Sequence, residues 1–140
     1  MQGDAMLDDA TYISRFDSND AIGITMNQWK QLEHKFDVPN LSYKVDNIVF
    51  AGMGGSALAA NLSLVWPGYS VPFEISRSYS VPKYVDYKTL VVVSSYSGNT
   101  EEAVSSFNDA LSKKSHIVVI SAGGKLADLA NNNKCTYIEL

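Results

Sequence analysis

From Asn47 onward the chain alternates short apolar runs with small polar breaks. Asn47–Ala51, Val71–Ile75, Leu90–Ser94, His116–Ser121 and Thr136–Glu139 are runs of strand length, rich in Val and Ile. Pro72 is tolerable only at a strand start or on a sheet edge, because proline lacks the N–H of a ladder bond. Between the runs lie helical patterns: a small-residue stretch over Ser56–Trp66, an amphipathic one over Asn99–Lys113 and a short one over Lys125–Asn131. On the second of these, Ala103, Val104, Phe107 and Leu111 share one face. Before Asn47 the pattern differs. Ile22, Met26, Trp29, Leu32 and Phe36 recur at steps of three and four, which predicts one helix from about Ser18 to Phe36. Asp17 or Ser18 can cap its start and Pro39 ends it.

Strand, loop and helix repeated, with strands apolar on both faces, predict a parallel sheet covered on both sides. The expected fold is α/β: a doubly wound five-stranded parallel sheet in the flavodoxin-like order 2-1-3-4-5, with helices on both faces. Residues 1–45 read as an N-terminal helical segment packing on the domain, and 46–140 as the domain itself. The chain stops directly after the fifth strand, which reads as a domain cut from a longer protein.

Two loops concentrate the chemistry. Gly52-Met-Gly-Gly-Ser56 follows the first strand and opens a helix, so its backbone can approach a ligand closely while the N–H groups of the next helical turn face outward. Ser94-Ser-Tyr-Ser-Gly-Asn-Thr100 follows the third strand and offers the hydroxyls of Ser95, Ser97 and Thr100. Backbone N–H groups and hydroxyls suit a phosphate, which only accepts hydrogen bonds at neutral pH. Neither loop carries Lys or Arg, so helix ends and neutral donors must supply the binding. One helix end contributes about 0.3–1 kcal/mol toward an anion, and each hydrogen bond to a charged group about 1.5–3 kcal/mol. In the 2-1-3-4-5 order the first and third strands are neighbours and their helices leave on opposite faces. Both loops therefore converge on the switch point where such sheets bind ligands. Glu101 and Glu102 read as first-turn acids, with Asn99 as N-cap and Glu102 closing a capping box. Tyr96 either packs on a sugar or shields the loop.

Composition removes other classes. At 140 residues and 46% hydrophobic the chain can bury an ordinary core without disulfide or metal. A net charge of -4 leaves no basic face for nucleic acid. Lys113-Lys114, the longest basic cluster, reads as a solvated helix end. The single Cys135 reads as a buried, inert thiol. His34 and His116 lie far apart without ligand spacing, so no metal site is expected, nor any cofactor. No signal pattern or membrane-length apolar run is visible, and a cytoplasmic protein is expected.

Gly52-Met-Gly-Gly-Ser56, Val71-Pro-Phe-Glu-Ile-Ser-Arg77 with Val81-Pro82 after it, and Val91-Val-Val-Ser-Ser-Tyr-Ser-Gly-Asn-Thr-Glu-Glu102 together resemble the sugar isomerase (SIS) domain. The match is to the N-terminal half of the bifunctional phosphoglucose/phosphomannose isomerase family, over roughly Asn47 to Ser121. The resemblance implies phosphate contacts at Gly54, Gly55, Ser56, Ser95, Ser97 and Thr100. It implies an intact protein that interconverts glucose 6-phosphate and mannose 6-phosphate with fructose 6-phosphate through a cis-enediol, as a homodimer serving glycolysis and gluconeogenesis. It also implies that the proton-transferring glutamate, the ring-opening histidine and an arginine at the reacting carbons lie beyond Leu140, in and around a second SIS domain. The piece by itself is then inactive and binds the phosphate end alone.

Two other readings compete. Gly52-x-Gly54-x-x-Ala57 satisfies the dinucleotide fingerprint, and Glu74 stands 22 residues beyond Gly52, where a ribose-binding acid would. That reading makes the chain a Rossmann half-domain, although such a domain has no need of the hydroxyl-rich second loop. The other is a non-catalytic SIS module that senses a sugar phosphate.

Overall fold

A computed structural model of the chain describes residues 9–65 and 68–140. The chain divides into two compact units, one ending at Phe36 and one running from Asp37 to Leu140.

The first unit holds two short helices, α1 (Ala10–Phe16) and α2 (Ala21–Met26), and a 3-10 turn over Gln28–Glu33. Asp9 caps α1 by accepting from the N–H groups of Thr11 and Tyr12. Asp17 accepts from Ala21 and Ile22 at 2.6 and 2.9 Å, so it supplies the capping carboxylate its position predicts. The expected continuous helix over 18–36 does not form. Gly23, Ile24 and Thr25 are poor helix formers. The Asn27 amide donates to Gly23 O at 2.7 Å, so a side chain holds a carbonyl in the last turn of α2, and the backbone of Asn27 leaves the helical region. The last helical turn ends at Glu33, with His34 extended, well before Pro39.

In the second unit the five strands are β1 (Asn47–Gly52), β2 (Phe73–Ser76), β3 (Thr89–Ser94), β4 (His116–Ser121) and β5 (Thr136–Glu139). They form one all-parallel sheet in the order β2-β1-β3-β4-β5, as the apolar alternation predicts. The helices between them are α3 (Gly54–Val65), α4 (Glu101–Ser112) and α5 (Gly124–Asn132). The expected end of α3 at Trp66 lies outside the described residues.

Alternation along each strand splits the sheet into two apolar faces. Val49, Ala51, Val91, Val93, Ile117 and Val119 pack against α4 and α5, where Phe107 and Leu126 are wholly buried. Ile48, Phe50, Leu90 and Val92 face α3, whose buried positions Ala57 and Ala60 let the helix lie close to the sheet. On α4 the buried stripe is Ala103, Phe107 and Ala110 together with Ser106; Leu111, expected on that face, is 38% exposed because Ala110 takes the inward position of the last turn.

The long connection between β2 and β3 is held to α4 by polar side chains. Ser106 Oγ donates to Ser78 O at 2.9 Å, and Asp109 accepts from the N–H of Val81 at 2.9 Å. Lys113 Nζ donates to Pro82 O at 2.9 Å and lies 3.9 Å from Asp109. Lys113 is therefore a clasp rather than the solvated end its sequence suggests. Cys135, expected to be buried in a strand, is half-buried just before β5, and that burial pushes its thiol pKa up.

Tyr84, on the same connection, donates to Glu74 at 2.5 Å. Desolvation first, then the hydrogen bond and charge of Glu74, push its hydroxyl pKa up to about 12. A raised pKa means that folding favours the neutral phenol. Its contribution is complete below the ordinary value of 10.0 and is lost as pH rises through about 12. Urea unfolding followed across that window should show the midpoint of the wild-type protein falling more steeply than that of Tyr84→Phe.

Candidate functional site

The site is built where the sheet's connections diverge. Gly52, the last residue of β1, pairs in register with Ser94, the last residue of β3. Both loops leave from this pair of neighbours, one toward α3 and the other toward α4 on the opposite face. That is the geometry of a switch point.

On the first loop, Gly54 has φ +49, a left-handed conformation that glycine adopts without strain, and it turns the chain directly from strand into helix. Gly54 and Gly55 are exposed, and a Cβ on either would meet nothing within 4 Å. Ser56 follows, half-buried in the first turn. Helix α3 bears no acidic residue in that turn, so its N-terminal dipole is uncompensated from within the helix.

On the second loop, Ser95 is 2% exposed and its Oγ lies 2.8 Å from Thr100 Oγ1. Ser95 thus supports Thr100 from beneath, and Thr100 occupies the N-cap position of α4. When Ser95 donates in this pair, the Thr100 proton is free to point at an acceptor outside. Ser97 is exposed, and its Oγ accepts from the N–H of Asn99 at 3.3 Å. The expected capping box is not formed. Thr100, not Asn99, is the N-cap, and no side chain caps α4. Asn99 turns away to Ser97 O and to the N–H of Lys125, a partner 26 residues distant. Glu101 and Glu102 sit in the first turn and face Tyr79, whose hydroxyl pKa is raised chiefly by the charge of Glu102.

A pocket of about 330 Å³ opens on the α3 side of this crevice. Gly55 and Ser56 line it from α3, Ser94 and Tyr96 from the second loop, and Phe50 and Ile120 form an apolar floor. Of the six predicted phosphate contacts, Gly55 and Ser56 line the pocket directly. Gly54 lies at the helix start beside it, while Ser95, Ser97 and Thr100 belong to the loop and helix start on the other side of the Gly52–Ser94 pair. Tyr96, 72% exposed, faces the pocket, a place its sequence left open. A second hollow of about 350 Å³ lies on the same sheet face toward the β2 edge; among the described residues Ser63 and Tyr69 are its only polar side chains, fewer donors than the first pocket offers a phosphate.

The fingerprint acid fares poorly. Glu74 pairs with Val49 in the middle of β2, short of the strand's end at Ser76, and its carboxylate already receives the Tyr84 hydroxyl. A ribose-binding acid belongs at the strand's C-terminal end. Among the described residues no three His, Cys, Asp or Glu side chains are grouped to hold a metal. His116 stacks on Tyr43 at 3.7 Å. No described helix is long and apolar enough to cross a membrane.

Comparison with known proteins agrees with this architecture. No protein-family profile matches the chain. It is 45% identical over 91 residues to the bifunctional phosphoglucose/phosphomannose isomerase of Caldicellulosiruptor bescii, covering 64% of this chain and 27% of that protein. The enzyme of the same name from Aquifex aeolicus is 35% identical over 96 residues, with 66% and 30% covered. The D-glucosamine-6-phosphate 4-epimerase of Sulfolobus acidocaldarius is 38% identical over 106 residues, with 74% and 33% covered. The chain spans about a third or less of the length of these curated relatives. Two crystal structures share the fold. One is a provisionally assigned phosphosugar isomerase of Bacillus subtilis, at a TM-score of 0.56 and 18% identity, covering 70% of this chain and 31% of that one. The other is a protein of the same description from Salmonella typhimurium, at 0.52 and 20% identity, with 60% and 27% covered. The resemblance carried by the Gly-Met-Gly-Gly-Ser and Ser-Tyr-Ser-Gly-Asn-Thr motifs is borne out by relatives that bear the isomerase name.

Proposed function

We propose that this chain is the phosphosugar-binding domain of an aldose–ketose isomerase that interconverts glucose 6-phosphate and mannose 6-phosphate with fructose 6-phosphate. The observation that supports it is the Gly52–Ser94 pairing, which starts a glycine-opened helix and a hydroxyl-bearing loop side by side, neither loop carrying Lys or Arg. The phosphate sits against the first turns of α3 and α4. Gly54 and Gly55 leave room for it, and Ser56, Ser97 and Thr100 donate to it, with Ser95 setting the Thr100 hydroxyl. The sugar extends over the apolar floor beside Tyr96. Isomerisation moves a proton from C2 of the open aldose to C1 through a cis-enediol while the carbonyl passes from C1 to C2. The groups that move that proton and open the ring belong to the part of the intact homodimer beyond Leu140. The Sulfolobus acidocaldarius relative favours a second reading, in which the same phosphate grip serves epimerisation at C4 of an amino sugar phosphate.

Calorimetric titration tests the shared core of both readings. Fructose 6-phosphate should bind, whereas fructose and NADH should not. Ser56→Ala and Thr100→Ala should each weaken binding by about tenfold or more, the loss of one hydrogen bond to a charged group. The two should differ in stability. Ser56→Ala leaves the melting temperature nearly unchanged, while Thr100→Ala orphans the buried Ser95 hydroxyl and costs about 1–3 kcal/mol. Thr100→Ser should restore both properties. Binding of NADH with silence toward fructose 6-phosphate would reverse the assignment.

A further inference from the structure

Helix α5 begins with glycines after a strand, as α3 does, so its start is also a candidate to hold an anion. Two of its first-turn donors are already taken. The N–H of Lys125 donates to Asn99 Oδ1 at 3.1 Å, and the N–H of Leu126 donates to Gly98 O at 3.0 Å. Both acceptors belong to the 94–100 loop. The other end of the Asn99 amide, Nδ2, donates to Ser97 O at 3.0 Å. One exposed side chain therefore ties the loop to itself and to the start of α5.

The contact between the two loops is close elsewhere as well. The N–H of Ala122 donates to Tyr96 O at 2.9 Å, and that of Ser95 to Ile120 O at 3.1 Å. A Cβ on Gly124 would stand 2.4 Å from Ser97 O. The loop that carries Ser95, Ser97 and Thr100 is thus moulded against the β4–α5 connection, and two first-turn donors of α5 are spent on it.

We propose that Asn99 is a positioning residue: by bridging Ser97 to the first turn of α5, it holds the 94–100 loop in the shape that receives the phosphate. The proposal rests on the reading of that loop as a phosphate site. A loop fixed before binding loses less freedom when the ligand arrives, so removing the bridge weakens affinity without removing any direct contact. Because Asn99 is exposed, its truncation leaves the core intact.

The test uses the 140-residue chain with Asn99→Ala, and Asn133→Ala as control. Asn133 also supports α5, through Nδ2 to Leu129 O at 2.8 Å, but at the far end of the helix. Asn99→Ala should weaken fructose 6-phosphate and inorganic phosphate alike, on the order of tenfold for two lost hydrogen bonds. Amide exchange at Gly98, Asn99 and Lys125 should accelerate in the free protein, and saturating ligand should re-protect Gly98 and Asn99. Asn133→Ala should bind as wild type does. Equal affinity losses in the two variants, or wild-type affinity in Asn99→Ala despite a freed Lys125 amide, would overturn the proposal. Should the wild-type protein bind no phosphate compound, the functional reading fails, and exchange at Gly98 and Asn99 then decides the bridge alone: faster in Asn99→Ala supports it, unchanged refutes it.

Discussion

Gly98→Ala is expected to destabilise the second unit more than any other single methyl added at a glycine. Two independent costs coincide there. Gly98 has φ +66, where a Cβ costs about 1–2 kcal/mol. The same Cβ would stand 1.8 Å from the carbonyl oxygen of Gly123, which is backbone and cannot swing aside. Forcing the two loops apart adds about 1–3 kcal/mol or more, the usual range for overpacking. The sum is a large fraction of the about 5–15 kcal/mol that holds a domain folded. A fall in melting temperature of at least about 10 °C should follow, read by circular dichroism. Gly55→Ala is the matched control. It lies in α3, its φ is not positive, and its Cβ would meet nothing within 4 Å. Alanine is the better helix former by up to about 1 kcal/mol, so this variant should melt at or slightly above the wild-type temperature. A Gly98→Ala protein that melts with the control would show that the 94–100 loop and the β4–α5 loop are not interlocked.

The sheet was legible because its signal is local and redundant. The run Leu90-Val-Val-Val is apolar at every position, and only a strand covered on both faces accommodates that. The residues on either side of it open into loops, so the observed β3 begins one residue earlier than expected and ends where expected. Strand order followed from the same alternation, since α3, α4 and α5 carry three of the four connections, while the β2–β3 connection crosses without a helix. The N-terminal unit was less legible because its period was right and its propensities were not. Ile22, Met26 and Trp29 keep helical spacing, yet α2 ends at Asn27 and the chain continues only as a 3-10 turn. Helix α1 went unseen although Asp9 before Ala10 is an ordinary capping signal.

The candidate site shows the same boundary between local and distant causes. Three glycines in four residues ahead of Ser56, and hydroxyls clustered ahead of Glu101, mark two candidate ligand loops without any structure. Which hydroxyl points outward is not local information. Ser95 turns inward because Thr100 sits above it, and Ser97 stays exposed. Asn99 with Glu102 three residues on matches a capping box, but the partner that wins is the N–H of Lys125, beyond a whole helix and strand. Lys113 likewise reads as solvent-facing until the chain of Ser80–Pro82 is laid across α4.

Ser56→Asp separates a helix cap from an anion site more sharply than any alanine does. Serine and aspartate are both good residues at a helix start, and a carboxylate in the first turn of α3 stabilises the helix by about 0.3–1 kcal/mol. With no acidic residue in that turn already, the fold has nothing to lose from the new charge. A bound phosphate does. Two like unit charges about 4 Å apart repel by about 4 kcal/mol at the effective dielectric of a protein surface, which is close to a thousandfold in affinity. The expected outcome is a protein that melts at the wild-type temperature or above it and no longer responds to fructose 6-phosphate. The upward shift in melting temperature that ligand confers on the wild-type chain should vanish with it. Ser56→Asn, similar in size and uncharged, should keep most of that shift, so the difference between the two variants isolates charge from shape. Retention of binding in Ser56→Asp would move the phosphate away from α3, leaving Gly54, Gly55 and Ser56 as a turn and nothing more.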